Sequence, residues 1–362
     1  MNRESEILKL IKENPMISQD EIAARLKITR STVGVHISNL QKKGVIAGRG
    51  YVIREDEFVL GVGSCNVDIY CRSDLPIRTG YDHPAAISTT IGGVTHNIIE
   101  NLRHLGVDVR FIFALADDFY GRAITEHCRN ESIDMTDACW IKGGSSGVFM
   151  QVLDDDNDMY MAMTDLSAVN HISVEFLKTR KHLLSSARLI VCDPGLSREA
   201  LEYLCLCNDN VFIDPTSEAL AQKIRDISGR FRFIKPNRKE LAVLTDMEVN
   251  TREQIIQAAE RLIARGTGEV CVSLGKDGCL YMDESGNIAE RKLRPAERIV
   301  NASGAGDSFM AGFIYGRIND WPVTECLDYG LAAGSLALKC ESAVDPELSI
   351  AQIEKLLKEE NL

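Results

Sequence analysis

The sequence predicts an α/β protein whose parallel sheet is covered by helices on both faces, preceded by a small helical domain. From residue 57 onward, short continuous apolar runs alternate with amphipathic helical patterns, which is typical of parallel sheets buried on both faces. Residues 1–55 carry three short helical patterns instead. The 362 residues also exceed one small domain. We therefore expect two domains, residues 1–55 and 57–362.

Composition limits the class of protein further. Hydrophobic residues make up 45% of the chain and aromatic residues 6%, which is typical of a globular protein with a sizeable core. The first residues, MNRESEILKLIKEN, are charged throughout and predict no signal peptide. No apolar run approaches the roughly 18 residues of a membrane span. The eleven cysteines are scattered without a CxxC pair, so we expect reduced thiols and a cytoplasmic protein.

Charge is divided unevenly along the chain. The formal net charge is −12. Residues 1–55 hold ten Lys or Arg against six Asp or Glu, whereas the remainder holds 31 against 47. A basic head of +4 and an acidic body of −16 follow from these counts. Only the head is therefore suited to a polyanionic partner.

The head contains start and stop signals for its helices. Ser18 stands before the second pattern as an N-cap, with Glu21 at the capping-box spacing. Thr29 is the expected N-cap of the third helix, which Gly44 closes. The stretch VIAGRGYVI then predicts two strands joined by a tight turn, a small wing.

This order resembles the winged helix-turn-helix of bacterial transcription regulators over about 55 residues. The resemblance implies DNA binding, with base or phosphate contacts from Ser31, Thr32, His36, Asn39 and Lys43 on the third helix and Arg49 at the wing tip. A dimer would present two such domains. Because the basic excess is small, a docking module that does not contact DNA stays open as the alternative.

The body carries its elements in alternating order. Strand-like runs lie at residues 58–63, 109–115, 187–193, 210–215, 231–236 and 269–275. Helical patterns include residues 124–130, 198–207 and 252–266. Residues 71–90 and 147–164 differ, because their alternating polarity predicts exposed strands of a flap. Polar motifs follow the apolar strands, and ligands bind at that edge of such sheets.

The stretch NASGAGDSFMAGF, residues 301–313, combines glycines, an acid and the start of a helix. The first turn of a helix has unpaired N–H groups that attract anions, and glycine lets a phosphate approach them. Asp307 at this place suits a base that deprotonates an attacking hydroxyl while the N–H groups hold phosphoryl charge. An ordinary helix start with Asp in its first turn is the alternative.

Two common nucleotide motifs are excluded. The sequence contains no GxxxxGK[ST], which excludes a P-loop enzyme. Gly61 and Gly63 lack the third glycine and the helix start of a dinucleotide fingerprint.

Five motifs in order resemble the PfkB-type, ribokinase-like carbohydrate and nucleoside kinases. IGGVTHNIIENLRHLG at 91–106 and NASGAGDSFMAGF resemble the two family signatures, and SCNVD, KPNRKE and SLGKDG agree. The resemblance covers about residues 57–350. It implies a three-layer α/β/α domain with a small β lid formed within 71–90 and 147–164. It also implies ATP as phosphate donor, Mg²⁺, and a homodimer through the lid.

The resemblance assigns a role to each matching residue. Asp307 is the catalytic base, and Gly304, Ala305 and Gly306 form the anion hole. The substrate-binding residues are Asn66, Asp68, Gly92, Gly93 and Asn97. The ATP-binding residues are Asn237, Glu240, Ser273, Gly275 and Gly278, with Glu240 also holding Mg²⁺ through water. Ordinary roles stay open for several of them, such as a helix cap for Asn237 and Glu240 and local packing for His96.

Details within the family indicate the substrate. NASGAGD with Asn301, the GGVxxN form of the first signature, TDLSAVNHIS and DPTS resemble pseudouridine kinases, which implies transfer to the 5′-hydroxyl of pseudouridine. Asp165 would then contact the base or the sugar. Other ribonucleosides, a free pentose or hexose, or a sugar-sensing regulator are the alternatives. Many members have Asp-Thr where Asn301 and Ala302 stand here, so dependence on K⁺ is doubtful.

Overall fold

The computed structural model describes residues 3–43, 45–46, 57–73, 75–154, 159–294 and 299–360. The chain divides into two compact units, Met1–Glu57 and Phe58–Leu362. Gly44, Arg49 and most of the predicted wing lie outside the described residues. In the part of the chain that is described, helices are too short or too polar to cross a membrane.

The first unit contains the three predicted helices: α1 (Arg3–Glu13), α2 (Gln19–Leu26) and α3 (Arg30–Lys42). The capping box is confirmed, because Glu21 N donates to Ser18 Oγ over 3.2 Å and Ser18 N donates to Glu21 Oε2 over 2.9 Å. The N-cap of α3 is also confirmed, since Thr32 N donates to Thr29 Oγ1 over 3.2 Å. The helices share one small apolar core, formed by Ile7, Ile11, Ile17, Ile22, Ala23, Val33, Ile37, Leu40 and Ile46.

The second unit alternates strands and helices along the chain. Its strands are β1 (Val59–Val62), β2 (Asn66–Ser73), β3 (Ala85–Gly92), β4 (Val109–Ile112), β5 (Ala114–Ala116), β6 (Cys139–Ile141), β7 (Gly147–Leu153), β8 (Met159–Asp165), β9 (Leu189–Cys192), β10 (Val211–Ile213), β11 (Phe233–Ile234), β12 (Glu269–Ser273), β13 (Cys279–Asp283) and β14 (Ile288–Arg291). Its helices are α4 (Val94–His104), α5 (Phe119–Asn130), α6 (Val174–Lys178), α7 (Lys181–Ser186), α8 (Arg198–Cys207), α9 (Glu218–Ile224), α10 (Arg238–Thr245), α11 (Arg252–Ala264), α12 (Ala305–Ile318), α13 (Val323–Ala337) and α14 (Ile350–Glu360).

The main sheet has the strand order β14-β13-β12-β11-β10-β9-β1-β4. The strands from β12 to β4 in this order pair in parallel, whereas β13 and β14 pair antiparallel at one edge. Two apolar cores lie on opposite faces of the sheet. One contains residues of α6 to α11 and the other residues of α4, α5 and α12 to α14. This arrangement confirms the predicted three layers.

The lid is a separate sheet with the strand order β3-β2-β7-β8. Both stretches that the sequence predicts as lid strands contribute to it. The predicted single strand at 109–115 is wrong, because Phe113 separates β4 in the main sheet from β5, which pairs with β6. Residues 111–116 are buried throughout, so the apolar pattern carries no sign of the change of sheet.

Candidate active site

Polar residues meet at the carboxyl ends of the parallel strands, as expected for an open α/β sheet. Ser64 follows β1, and Asp193, Asp214 and Lys235 come directly after β9, β10 and β11. The start of α12 reaches the same edge, where Asp307 lies within electrostatic range of Asp193, Asp214 and Lys235.

Asp307 lies in the first turn of α12 and is only 7% exposed. Asn97 Nδ2 donates a hydrogen bond to Asp307 Oδ2 over 2.8 Å. Burial and the charge of Asp214 raise the pKa of Asp307 to about 7, although the Asn97 bond and the Lys235 charge oppose the shift. A carboxylate that titrates near neutrality is suited to act as a general base.

The backbone beside Asp307 is open to an anion. Gly304 is the N-cap of α12 with φ of 78°, and no side chain of the described residues caps this end. A Cβ on Gly306 would lie 3.3 Å from Lys235 Nζ. First-turn N–H groups that no described side chain caps, together with a nearby ammonium group, are suited to bind an anion.

Replacing Gly304 with alanine should destabilise the protein more than the same change at Gly106. Both glycines have a left-handed φ, 78° and 79°. The backbone strain of about 1–2 kcal/mol is therefore common to both. Only at position 304 would the new Cβ overlap a backbone atom, the Ala343 carbonyl oxygen, whereas position 106 has no described neighbour within 4 Å. Denaturant unfolding of both variants measures the difference, and equal costs would contradict the close contact.

Lys235 and Asp214 form a buried ion pair that is absent from the predicted site residues. Lys235 Nζ lies 2.8 Å from Asp214 Oδ2, and the two side chains are 5% and 8% exposed. Burial lowers the pKa of Lys235, but the charges of Asp214, Glu240 and Asp307 outweigh it and raise this pKa overall. The signal in the sequence is Lys235 itself, the first residue of KPNRKE, which directly follows the apolar strand β11. That signal does not reveal the partner.

The predicted substrate residues lie together next to Asp307. Asn66 Nδ2 donates to Asp68 Oδ1, and burial raises the pKa of Asp68 to about 6. A side chain at Gly92 would overlap the Asp68 carboxylate. Gly93 has φ of 106°, and a Cβ there would lie 2.7 Å from the Ser64 carbonyl oxygen. These glycines therefore let the start of α4, which carries Asn97, lie directly against β2.

Asp193 connects the elements that carry these residues. Its Oδ2 accepts hydrogen bonds from Ser64 N over 2.8 Å, Ser64 Oγ over 2.7 Å and Thr95 Oγ1 over 2.6 Å. Asp193 is 2% exposed. It ties the loop after β1 to the first turn of α4 and so positions Asn66 and Asn97. Nothing in the sequence distinguishes it from any other acid after a strand.

The lid sheet does not bring Asp165 to the other predicted substrate residues. Asp165 pairs with Val148, which pairs with Val67, whereas Asp68 pairs with Thr90 and Phe149. Since side chains alternate between the faces of a sheet, this register directs Asp165 to the face opposite Asp68. Asp165 Oδ1 accepts from Ser167 N over 3.0 Å and from Ser167 Oγ over 2.6 Å.

A cavity of about 420 Å³ adjoins the anion site. Four of the five predicted ATP residues line it, namely Asn237, Ser273, Gly275 and Gly278. Ala305 and Gly306 also line it, and its apolar walls come from Leu293, Ile299, Phe309, Leu331 and Leu338. Apolar walls with a few polar groups and an anion site are suited to a nucleotide.

Glu240, the fifth predicted ATP residue, is 5% exposed and is not among the lining residues. It forms a capping box with Asn237 at the start of α10, where Asn237 N donates to Glu240 Oε2 over 2.9 Å. Burial and the Asp214 charge raise the pKa of Glu240 to about 7. The helix cap is therefore a real role of this pair, beside any role toward Mg²⁺.

The third helix of the head exposes only part of the predicted DNA surface. Ser31 and Thr32 are exposed, whereas His36 and Asn39 are half-buried. Lys43 Nζ lies 2.6 Å from Glu4 Oε2 of α1. Its hydrogen bond and charge lower the pKa of Glu4, as does a hydrogen bond from Asn39. The exposed residues of this helix that the prediction omits are Arg30, Val35, Ser38, Gln41 and Lys42.

Comparison with known proteins gives the same division of the chain. Residues 56–350 match the pfkB family carbohydrate kinase, and residues 3–47 match the winged helix-turn-helix DNA-binding family. The chain is 31% identical to the uncharacterized sugar kinase YeiI of Escherichia coli, over 96% of both chains. It is 30% identical to the pseudouridine kinase of Escherichia coli, over 84% of this chain and 98% of that protein.

A solved structure shares the fold of the second unit. The ribokinase of Arabidopsis thaliana, complexed with ribose and ATP, matches 83% of this chain and 99% of its own with a TM-score of 0.73 and 22% identity. The second unit therefore has the ribokinase-like fold. The chain belongs to the pfkB family of carbohydrate kinases, ATP-dependent kinases of sugars and nucleosides, and carries a winged helix-turn-helix domain ahead of the kinase domain.

Proposed function

We propose that this kinase transfers the γ-phosphoryl group of ATP to the 5′-hydroxyl of a ribonucleoside, with pseudouridine as the first candidate. The observation that carries the proposal is the position of Asp307, which is hydrogen-bonded to Asn97 of the predicted substrate residues and directly follows Gly306 of the cavity wall.

The chemistry follows from the groups at the edge of the sheet. Asp307 takes the proton of the attacking hydroxyl as the new oxygen–phosphorus bond forms and the bond to the ADP oxygen breaks. The first-turn N–H groups of α12 stabilise charge on the phosphoryl oxygens. Lys235 adds a positive charge beside them. Mg²⁺, which Glu240 would hold through water, would neutralise charge on the ATP phosphates.

The substrate residues favour a polyhydroxylated ligand. Asn66 and Asp68 combine a donor and acceptors on one buried strand end, and paired donors and acceptors of this kind select sugar hydroxyls. Similarity to the pseudouridine kinase and the motifs NASGAGD and DPTS support pseudouridine over other ribonucleosides or a free sugar.

Turnover of a substrate panel with Mg·ATP tests the proposal. The panel contains pseudouridine, uridine, inosine, ribose and fructose, and kcat/KM is compared across it. Pseudouridine should exceed the others by at least about fivefold, because a lost hydrogen bond to a buried polar group costs about 1 kcal/mol or more. A higher value for ribose or fructose would move the assignment to a free-sugar kinase. Binding without turnover of any compound would favour the sugar-sensing regulator.

The kinase should lose activity at low pH. Asp307 must be ionised to act as base, and its pKa is raised to about 7. We therefore expect kcat/KM to fall as pH decreases through about 7, by about tenfold for each further unit. Initial rates across the pH range measure this limb. A profile that stays flat down to the ordinary pKa of an aspartate would contradict Asp307 as the base.

The proposed mechanism does not depend on K⁺, whose requirement is doubtful from the sequence. Asn301 Nδ2 donates to the Glu341 carbonyl oxygen over 2.8 Å, and Asn301 Oδ1 accepts from Ser303 N over 2.9 Å. The neutral amide of Asn301 therefore holds this loop through two hydrogen bonds.

We further propose that the head binds DNA through the exposed side of α3, where Ser31 and Thr32 would contact the DNA. Fluorescence anisotropy of a mixed-sequence duplex with the full chain tests this at several salt concentrations. Affinity should fall steeply with salt, since each phosphate contact releases a counterion. No binding at low salt would favour the docking module.

A homodimer through the lid is the proposed assembly. Ile87, Met161 and Met163 are 68%, 40% and 61% exposed. The register places all three on one face of the sheet. A second copy would cover this apolar face. Light scattering of the full chain gives the mass that decides between one copy and two.

A further inference from the structure

Three histidines and two glutamates cluster between α4 and α5, away from the nucleotide cavity. On α4, His96, Glu100 and His104 follow one another at a spacing of four residues, which places them on one face of the helix. On α5, His127 and Glu131 have the same spacing, although Glu131 is the cap residue. Two overlapping triads result, His96–Glu100–His127 and Glu100–His104–Glu131.

The first triad brings three potential ligand atoms together. Glu100 Oε2 lies 3.2 Å from His96 Nε2 and 2.8 Å from His127 Nε2. All three atoms lie within 4.8 Å of one another. Ligands around a tetrahedral Zn²⁺ are about 3.3 Å apart, given bonds of about 2.0–2.1 Å.

The hydrogen bonds around His96 determine which of its nitrogens carries the proton. Asn97 Nδ2 donates to the Asp307 carboxylate, so Asn97 Oδ1 is an acceptor. His96 Nδ1 lies 3.3 Å from that oxygen and therefore carries the proton. A neutral imidazole carries a proton on only one of its two nitrogens. The Nε2 atom then has a lone pair.

The lone pair of His96 Nε2 faces the Glu100 carboxylate. His96 is 0% exposed, and Nε2 has no hydrogen-bond partner among the described residues. Two lone pairs 3.2 Å apart repel each other, and an orphan polar atom in the interior costs about 1–3 kcal/mol. A cation between the two atoms removes both penalties.

The histidine of the second triad has no nitrogen without a partner. His104 Nδ1 lies 3.2 Å from the Asp345 carbonyl oxygen, and His104 Nε2 lies 3.1 Å from Glu131 Oε2. Both nitrogens thus have partners, and His104 serves as a control within the same cluster.

We propose that His96 Nε2, Glu100 Oε2 and His127 Nε2 bind one divalent transition metal of the zinc class. Imidazole nitrogens suit Zn²⁺ far better than Mg²⁺, so the site is separate from the Mg·ATP chemistry. Two imidazoles and one carboxylate leave a fourth position for water. His127 is 28% exposed on its side chain and provides access from solvent.

The metal would act as a positioning element for the kinase site. Bound to Nε2, it fixes the proton of His96 on Nδ1, since the second nitrogen of a metal-bound histidine acts as donor. The His96 ring then holds the Asn97 amide in the orientation that donates to Asp307. Two hydrogen bonds, from His96 to Asn97 and from Asn97 to Asp307, therefore connect the metal site to the proposed base.

Metal binding to the full chain, freed of metal by chelation, tests the proposal without any activity assay. The probes are Zn²⁺ by calorimetry and Co²⁺ by its visible absorption. We expect one metal per wild-type chain. His127→Ala should weaken binding by more than about 100-fold, because even an outer-shell partner contributes up to that factor. His127→Gln, which keeps a hydrogen bond to Glu100, guards against misfolding and should show the same loss.

The matched control is His104→Ala, which removes a partnered histidine from the same helix and should leave the stoichiometry and the Co²⁺ spectrum unchanged. Loss of metal in His104→Ala with retention in His127→Ala would overturn the assignment of ligands. No uptake by the wild type, or equal uptake by all variants, would overturn the site itself. Kinase turnover is not needed for any of these outcomes, so the proposed substrate can fail independently.

Discussion

Replacing Asp307 with asparagine should lower kcat by about 10³-fold, within the range of 10²–10⁴ for loss of a general base. Asparagine has the shape of aspartate, and its oxygen can accept the bond that Asn97 donates to Asp307. It has no basic lone pair for the proton of the attacking hydroxyl. Substrate binding should persist, since Asn66, Asp68 and the nucleotide cavity are unchanged. Rates at saturating Mg·ATP and nucleoside, compared with the wild type, measure the loss.

The same substitution should make the folded protein more stable at about pH 8. The pKa of Asp307 is about 7 in the folded chain against an ordinary 3.8. A carboxyl group with a raised pKa disfavours folding once it is ionised, so its penalty grows as pH rises from about 4 to about 7. A difference of about three between the two pKa values corresponds to about 4 kcal/mol, so removing the charge should gain up to about 4 kcal/mol at pH 8. The gain should vanish near pH 4, where both side chains are neutral.

Two outcomes would contradict this reading of Asp307. A variant with more than about a tenth of the wild-type kcat would place the base elsewhere. A variant that is less stable than the wild type at every pH would show that the ionised carboxylate stabilises the fold. Denaturant unfolding at several pH values separates the second outcome from a loss of ligand binding. If the variant is inactive but more stable, Asp307 is needed for catalysis and at the same time destabilises the folded protein.

The proposed base and the proposed anion site could be located from the sequence because their signal is local. Gly304, Gly306 and Asp307 are neighbours in sequence, and the backbone of a helix start determines what they do. The same holds for Asn237 with Glu240 and for Ser18 with Glu21, whose capping boxes follow from a fixed spacing. The sequence could not separate the cap from a ligand role, because both need the same residues.

Contacts across strands and helices carried no such signal. Asp214 and Lys235 each follow a strand, but their pairing depends on β10 and β11 being neighbours. The metal cluster depends in the same way on α5 bringing His127 against Glu100. Asp165 shows how sensitive a strand is to register, since one position along β8 decides which face a side chain reaches.

Replacing Lys235 with methionine should cost about 3–5 kcal/mol of the free energy of unfolding, as measured in proteins that lose one partner of a buried ion pair. Methionine has a similar volume, so packing changes little. Asp214, with a side chain 8% exposed, would lose the ammonium group that lies 2.8 Å from its Oδ2. Asp307 and Glu240 would lose the charge that lowers their pKa values. The acid limb of kcat/KM should therefore move to higher pH, and kcat should fall because the anion site loses its cation.

The control for Lys235 lies four residues further along KPNRKE. Lys239 is 80% exposed and lies 3.9 Å from Glu218, and such surface pairs contribute about 0–1 kcal/mol. Lys239→Met should therefore change neither stability nor the pH profile appreciably. The double variant Asp214→Asn with Lys235→Met should be more stable than Lys235→Met alone, because it removes the charge that was left unpaired. If the double variant instead loses the sum of both single costs, the two side chains act independently, and Lys235 would stabilise the site through Asp307 and Glu240 alone.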